Sequence, residues 1–356
     1  MKQIENLRKK INQIDLKILN LLNRRAEIAK QIGQIKSSKG YQIYSPEREK
    51  EIIQKMVKHN TGPLDEEDVK EIFSLIIQIC RYQQKKFKIS YLGPEGTFTQ
   101  LAAIKIFGNR NIYIPKETIG DVFYSVEKNE VEYGVVPVEN TTEGIVSHTL
   151  DMFLECDLYI CGELDMKISH CLLSKENSIK KIKYVYSNPQ AFAQCKNFVS
   201  TKLHYAKLIE VSSTAEAAKI VAKKRYSAAI SSEVCAKIYK LNILERNIQD
   251  LEDNYTKFIV IGKHPITRPS GKDKTSILFS LKDRVGILHD ALAPFKKHGI
   301  NLTKIESRPS KQRPWEYVFF VDFVGHINDK NVKKAIKELE NLCTNYKFLG
   351  SYPQAK

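Results

Sequence analysis

The sequence is short of several things at once. Its seven cysteines include no CxxC pair, and an odd count without such pairing argues against a disulfide framework and a zinc ribbon alike. No apolar run approaches the ~18 residues of a membrane span, and the first helix opens on charges instead of a signal-peptide core. A reduced, cytoplasmic protein without a membrane partner is expected. The stretch "GPEGTFT" (93–99) has neither the GxGxxG nor the GKS/T pattern, which sets aside NAD and ATP readings. His170 and Cys171 adjoin but have no companion at metal-ligand spacing, so core packing is expected of them, with no metal and no cofactor.

Charge of one sign is present in excess: 57 Lys and Arg against 41 Asp and Glu leave +16. A lysine-rich surface accounts for some of it and sites for anions for the rest. The 42% hydrophobic and 28% charged content is ordinary for globular proteins, and 356 residues exceed what one compact core usually serves. Two or three domains are expected.

Three segments obey three periodicities. Residues 1–86 read as all helix: apolar residues at Ile4, Leu7, Ile11, Ile14, Ile18, Leu21, Ile28, Ile32 and Ile35 form a heptad seam to about Ile35. "YSPERE" restarts a helix, with Ser45 as N-cap and Pro46 first. A third stripe follows at Val69, Ile72, Phe73, Ile76 and Cys80. A helix of some 30 residues cannot bury its seam within so small a segment, so it is expected to pair with a second copy. From about Lys88 short β-rich runs alternate with helical patterns, hence a largely parallel sheet over 88–263. After the linker "RPSGKDK", residues 272–356 read as strand 275–281, helix 285–298, strand 300–307, strand 315–324, helix 329–342 and strand 346–351, a βαββαβ module.

Arg25 occupies the one non-apolar position of the seam. Arg8 and Lys36 flank the seam, Arg48 and Glu49 precede Ile52 and Ile53 by four residues on the inward face, and Gln84 continues the stripe from Cys80. A lone polar seam residue can simply fix register. Four cations, one acid and one amide from three helices are different, because unpaired buried charge is costly without a ligand. The missing partner is expected to be a small polyanion.

"LRKKINQID", "LLNRRAEIA", "IGQIK", "SPEREKEI" and the helix ending "CRYQQ" resemble the all-helical chorismate mutase family across the whole segment. The resemblance implies an intertwined homodimer or higher homo-oligomer that binds chorismate. Carried over, Arg25 and Arg8 would hold carboxylates, Arg8 from the other subunit. Lys36 and Gln84 would donate to the breaking ether oxygen, and Glu49 and Arg48 would meet the ring hydroxyl. A Claisen rearrangement needs only a folded substrate and donors where charge develops on oxygen. Cys80 stands where the family usually has serine.

In the second segment the βα junctions "GPEGTFT", "ENTTEG" (139–144), "SNPQ" (187–190), "SST" (212–214) and "SS" (231–232) are rich in hydroxyl and amide groups. N-capping accounts for any one of them. All five together would gather donors around one crevice suited to an anion. "LGPEGTFT", "VVPVENTTEG", "HCLL", "YSNPQAFAQC", "STAEAA" and "DNYTKFIV" resemble prephenate dehydratase. The resemblance implies an α/β fold of two lobes, like periplasmic binding proteins, with prephenate bound in the cleft by Thr97, Glu139, Asn140, Thr141, Ser187 and Gln190. Thr256 would stand in the proton-donor position, where a hydrogen bond to the leaving oxygen is the role expected of so weak an acid. Lys257 replaces the family's usual arginine, and Asn188 often corresponds to histidine.

"GILHDAL" (286–292) and "KIESRP" (304–309) resemble the two signature stretches of the ACT regulatory domain. The resemblance implies a ferredoxin-like α+β module in which Gly286, Leu288, Asn301, Glu306 and Ser307 bind the effector L-phenylalanine. The multidomain whole would convert chorismate to prephenate and prephenate to phenylpyruvate under feedback control. Two rivals read the residues differently. A non-catalytic anion sensor would lack Thr256 and the converging cations. The other keeps the dehydratase but makes the helices a mere dimerisation arm or nucleic-acid binder; a DNA-binding arm would carry its basic residues on polar faces, whereas Arg25 sits on the seam, and no nucleic-acid partner is expected.

Overall fold

The computed structural model of the protein describes residues 1–309 and 317–355. Two compact units result: Met1–Phe87 with Phe107–Ile112, and Lys88–Ile106 with Tyr113–Lys356.

The first unit holds α1 (Lys2–Ser38), α2 (Pro46–His59) and α3 (Glu66–Gln84). α2 starts with Pro46 in its first turn as expected, but Ser45 caps by position only, since its hydroxyl donates to Glu47. α3 opens on a reciprocal Asp65/Asp68 capping box. α1 buries only Ala29 and Gly33. A Cβ on Gly33 would lie 2.7 Å from Cβ of Gln84, so glycine is what lets α3 come this close. The seam lies off that face: from Ile4 to Ile35 its apolar members are 45–66% exposed.

The second unit begins with β1 (Lys88–Leu92), α4 (Phe98–Phe107), β2 (Ile112–Lys116), α5 (Ile119–Glu127), β3 (Tyr133–Asn140), β4 (Gly144–Ile145), α6 (Ser147–Glu155) and β5 (Tyr159–Lys167). The chain crosses to a second lobe of β6 (Cys171–Ser174), β7 (Tyr184–Ser187), α7 (Pro189–Gln194), α8 (Lys196–Lys202), β8 (Lys207–Glu210), α9 (Thr214–Val221), β9 (Ser227–Ser231), α10 (Glu233–Tyr239) and β10 (Asn242–Glu245). It then returns as β11 (Tyr255–Gly262). The sheet orders are β2-β1-β3-β11-β5 and β10-β6-β9-β7-β8.

These sheets are mixed, which corrects the expectation of a largely parallel one. β1–β3, β7–β8 and β7–β9 are parallel, but β11 runs antiparallel to both β3 and β5, and β6 antiparallel to β9 and β10. The physical reason is the double crossing: a strand returning from the far lobe enters the first sheet from the opposite end. The crossings bond to each other, Ile168 N to Asn254 O at 2.8 Å and Ile248 N to His170 O at 3.0 Å. His170 is 2% exposed and packs edge-on against Phe98.

The last part is β12 (Asp273–Leu281), α11 (Ile287–Lys297), β13 (Leu302–Pro309), β14 (Tyr317–Val324), α12 (Lys330–Glu340) and β15 (Cys343–Pro353), in sheet order β13-β14-β12-β15. This is the βαββαβ order expected, although residues 315 and 316 of the expected third strand lie outside the described residues. Its helices cover one face through Ile277, Phe279, Phe295, Phe323 and Leu339. β15 runs close to β5 of the first lobe: a Cβ on Gly350 would lie 2.3 Å from the Ile160 carbonyl oxygen.

Candidate functional site

In the helical unit a cavity of about 290 Å³ is lined by Arg25, Arg48, Glu51, Ile52, Lys55, Met56 and Phe73. Arg25 is half-buried there, on the side of α1 that carries Ala29 and Lys36, while its seam neighbours stay exposed. Arg48 was expected to face inward; instead it is exposed and bonds Glu51 at 2.7 Å. One turn separates them on α2, and both side chains are open to solvent. Arg8 lies 17 residues before Arg25, about 25 Å along the helix at 1.5 Å per residue. It cannot reach the same cavity from its own chain.

Lys36 Nζ donates to Ile43 O at 3.3 Å. Gln84 sits against Gly33, and its Oε1 is buried without a hydrogen-bond partner. Glu49 is bonded at 2.6 Å to Arg81, a residue the sequence reading missed. Arg81 is 3% exposed and stacks over Tyr44 and Phe107 at 5.0 and 5.3 Å. Burial pushes the Glu49 carboxyl up from its usual range, against the opposing pull of Arg81. The signal for Arg81 was available: the buried stripe of α3 runs through Val69, Ile77, Cys80 and Arg81, and Arg81 falls one turn after Ile77 rather than Ile76.

In the two-lobed region β3 and β11 bring Asn140 opposite Thr256. Asn140 Nδ2 donates to Thr256 Oγ1 at 2.8 Å and to Asn254 Oδ1 at 2.9 Å. Its own Oδ1 accepts from the Thr142 and Glu143 amides and the Thr142 hydroxyl. The amide is thereby fixed in orientation, and Thr256 Oγ1 receives a hydrogen bond, which leaves its own proton to be given. Asn254 was also missed. It is 1% exposed with Nδ2 lacking a hydrogen-bond partner, and as the residue two before Thr256 it shares that residue's face.

Other expected residues stand apart from this pair. Thr141 extends the pairing, bonding Tyr255 N and the Asp253 carbonyl through its hydroxyl. Thr97 bonds Leu92 O and caps α4 toward Gln100 N. Ser187 is fully buried and donates to Ile230 O at 2.9 Å, so its hydroxyl is committed within the lobe. Gln190 is exposed on α7. Glu139 and Lys257 form the next cross-strand pair along β3 and β11 and so face away from Asn140 and Thr256. Glu139 bonds Lys304 at 3.2 Å and Lys257 bonds Asp165 at 2.5 Å.

The hydroxyl-rich junctions divide between local and bridging work. Thr97, Asn188 and Ser213 cap helices. The first lobe's "GPEGTFT" loop meets the second lobe where Ser232 Oγ donates to Gly96 O at 3.2 Å and Tyr239 OH to Glu95 O at 3.1 Å. Gly96 has φ of 93°, and a Cβ there would lie 2.6 Å from Cys235 Sγ, so only glycine fits. Gln194 joins the lobes again, its Nε2 donating to Thr142 Oγ1 and its Oε1 meeting His170 Nε2.

In the last module Gly286 has φ of 78° and caps α11. Leu288 packs on the helix-covered core, and the Asn301 carbonyl accepts from Val324 N. Glu306 and Ser307 point to opposite faces of β13, Glu306 on the side of Lys304 and Arg308. That side is turned to the first lobe, since Arg308 bonds Asp151 and Ser147 of α6. Lys347 of β15 sits at the C-terminus of α6, donating to Phe153 O and Cys156 O, where a cation is favoured. Among the described residues no group of three or more His, Cys, Asp or Glu could hold a metal, and no helix is long and apolar enough to cross a membrane.

Comparison with known proteins adds to this geometry. Family models match over residues 7–85 (chorismate mutase type II), 89–266 (prephenate dehydratase) and 275–341 (ACT domain). A bifunctional chorismate mutase/prephenate dehydratase of Aquifex aeolicus is 50% identical, covering 100% of this chain and 99% of that protein. Its namesake in Pseudomonas aeruginosa is 42% identical over 99% and 98%. The crystal structure of an Arthrobacter aurescens prephenate dehydratase in complex with L-Phe has a TM-score of 0.71, at 32% identity, over 75% of this chain and 90% of that one.

Proposed function

The chain belongs to the bifunctional chorismate mutase/prephenate dehydratase family, and on that premise we propose which of its residues carry each reaction and what restrains them. The mutase site is the cavity at Arg25 and Arg48. Two guanidinium groups there want carboxylates, which chorismate has. The uncovered seam of α1 calls for a second copy of the helix, which would also bring Arg8 to the cavity from outside. Lys36 and Gln84 lie where Gly33 draws α1 against α3, and they donate to the ether oxygen as its bond breaks. Glu49, held by Arg81, frames the ring hydroxyl.

The dehydratase reading rests on one observation: the Asn140 amide is locked onto Thr256 Oγ1 at 2.8 Å. When prephenate loses its ring carboxylate as carbon dioxide, the electron pair left behind enters the ring and expels hydroxide, and phenylpyruvate remains. The departing oxygen needs a hydrogen-bond donor. A hydroxyl that already accepts from Asn140 is polarised to give its proton there. Asn254 presents its buried amide beside the same pair. Thr97, Thr141 and Gln190 are read as framing the substrate, whereas Ser187 acts by holding β7 to β9. Glu139 is read as an anchor toward the third sheet.

L-Phenylalanine is read as a feedback inhibitor bound near Gly286, Leu288, Asn301, Glu306 and Ser307, and the complex of the Arthrobacter relative with L-Phe supports this. Arg25→Ala and Thr256→Val together test the assignment. The first should remove mutase activity and spare the dehydratase, and the second the reverse. Loss of both activities from either variant, with folding intact, would overturn it.

A further inference from the structure

Side-by-side strands set their paired residues in rows that alternate between the faces of a sheet. Across β3, β11 and β5 one row is Asn140, Thr256 and Met166, and the next is Glu139, Lys257 and Asp165. The first row holds the donor hydroxyl. The second faces the sheet of the last module, and its Lys257 lines, with Lys274 and Lys304 of that module, a cavity of about 30 Å³.

Ion pairs tie this second row to the module. Lys304 on β13, its side chain 16% exposed, bonds Glu139 at 3.2 Å. Lys257 bonds Asp165 at 2.5 Å and stands 3.8 Å from Glu163, which is 3% exposed and holds Lys274 of β12. Glu139, which precedes Asn140, is therefore held directly from the module, whereas Lys257, which follows Thr256, is held by β5 and reaches the module only through Glu163.

We propose that Lys304 is a positioning residue for the dehydratase reaction. It holds the Glu139 carboxylate, and with it the end of β3, so that the Asn140 amide stays aimed at Thr256 Oγ1. The inference rests on reading Asn140 and Thr256 as the dehydratase pair. Lys304 never meets substrate; it acts through the strand. Its place is also informative, because Glu306 lies two residues further along β13 on the same face. A ligand that shifts β13 shifts the grip on Glu139, and this gives an effector differential contact with two states of the site. Misplacement of a catalytic group by about 1 Å can cost ~100-fold in rate, so a small movement is enough.

The test uses the full-length protein with prephenate and compares Lys304→Met, Lys304→Arg, Glu139→Gln and the double variant Lys304→Met/Glu139→Gln. Lys304→Met should lower kcat by about tenfold or more, a barrier change of about 1.4 kcal/mol, with KM within about threefold. Lys304→Arg should recover most of the loss, and mutase activity on chorismate should be unchanged throughout. The double variant should lose no more than either single one, because the two side chains act as one unit. Losses that multiply, or a Lys304→Met kcat within about twofold of wild type, would overturn the proposal. If Lys304→Met does not fold, the kcat of Glu139→Gln decides, since it keeps the size and removes the charge. Thr256→Val separates the two readings: were it fully active, the dehydratase pair itself would be wrong, whereas an inactive Thr256→Val beside an unaffected Lys304→Met refutes only the role of Lys304.

Discussion

Asn140 and Thr256 stand opposite each other on antiparallel strands, with 2.8 Å between the amide nitrogen of one and the hydroxyl oxygen of the other. The amide is shared: Asn254 Oδ1 accepts from the same nitrogen at 2.9 Å. Asn254→Ala removes that acceptor and the buried donor beside it. Dehydratase kcat should fall by about tenfold or more, while Asn140→Ala, which strips Thr256 of its partner, should cost about 100-fold. Steady-state kinetics on prephenate check both. Equal activity of Asn254→Ala and wild type would remove Asn254 from the site.

Arg25→Leu is expected to leave the melting temperature unchanged or higher. The cavity sets Arg25 near Arg48 and Lys55, and Glu51, paired with Arg48, is the one carboxylate among them, so without a bound anion the cations are in excess. A leucine there meets Ile52, Met56 and Phe73 of the same cavity instead. Thermal denaturation of the ligand-free protein measures this, and a clear fall in melting temperature would mean Arg25 is retained for stability.

Gly33→Ala should damage the mutase selectively. The added methyl would come 2.7 Å from Gln84 Cβ and 2.9 Å from its Cα, so α3 must move as well as the side chain. Overpacking of this kind costs about 1–3 kcal/mol. Chorismate turnover should fall while prephenate turnover is kept. Unchanged mutase kinetics would show that Gln84 tolerates displacement and does not act on the ether oxygen.

His170 is expected to make the crossing between lobes sensitive to acid. Burial holds its imidazole below the ordinary range, and its hydrogen bond to Gln194 Oε1 opposes this only in part. The folded protein therefore binds that proton less readily than the unfolded chain. The stability linked to neutral His170 is present above about pH 6.5 and is lost as pH falls below it. Melting temperature should drop as pH falls below about 6.5 in wild type and more shallowly in His170→Asn. Parallel profiles would assign the acid sensitivity to other groups.

What the sequence revealed and what it hid follow from the kind of information each feature needs. Helix and strand periodicities were legible in the βαββαβ module because each element covers its own apolar face, as Ile277, Phe279 and Leu339 do. Arg25 was legible as a polar residue breaking an apolar stripe. The antiparallel entry of β11 was not, because strand direction depends on which lobe the chain returns from. Arg81 was hidden by a stripe assigned through Ile76, and Ser187 looked available until the Ile230 carbonyl was placed beside it. Glu139 and Lys257 illustrate the same limit: each adjoins a residue of the donor pair in the chain, and period two turns both to the opposite face.

The most direct measurement supplies chorismate to the purified protein and follows chorismate, prephenate and phenylpyruvate over time, for wild type and for Thr256→Val. Wild type should consume chorismate, pass through prephenate and end at phenylpyruvate, with the last step slowed by added L-phenylalanine. Thr256→Val should consume chorismate at the wild-type rate and accumulate prephenate. Phenylpyruvate formed by Thr256→Val at the wild-type rate, or chorismate left unconsumed by the wild-type protein, would contradict the account.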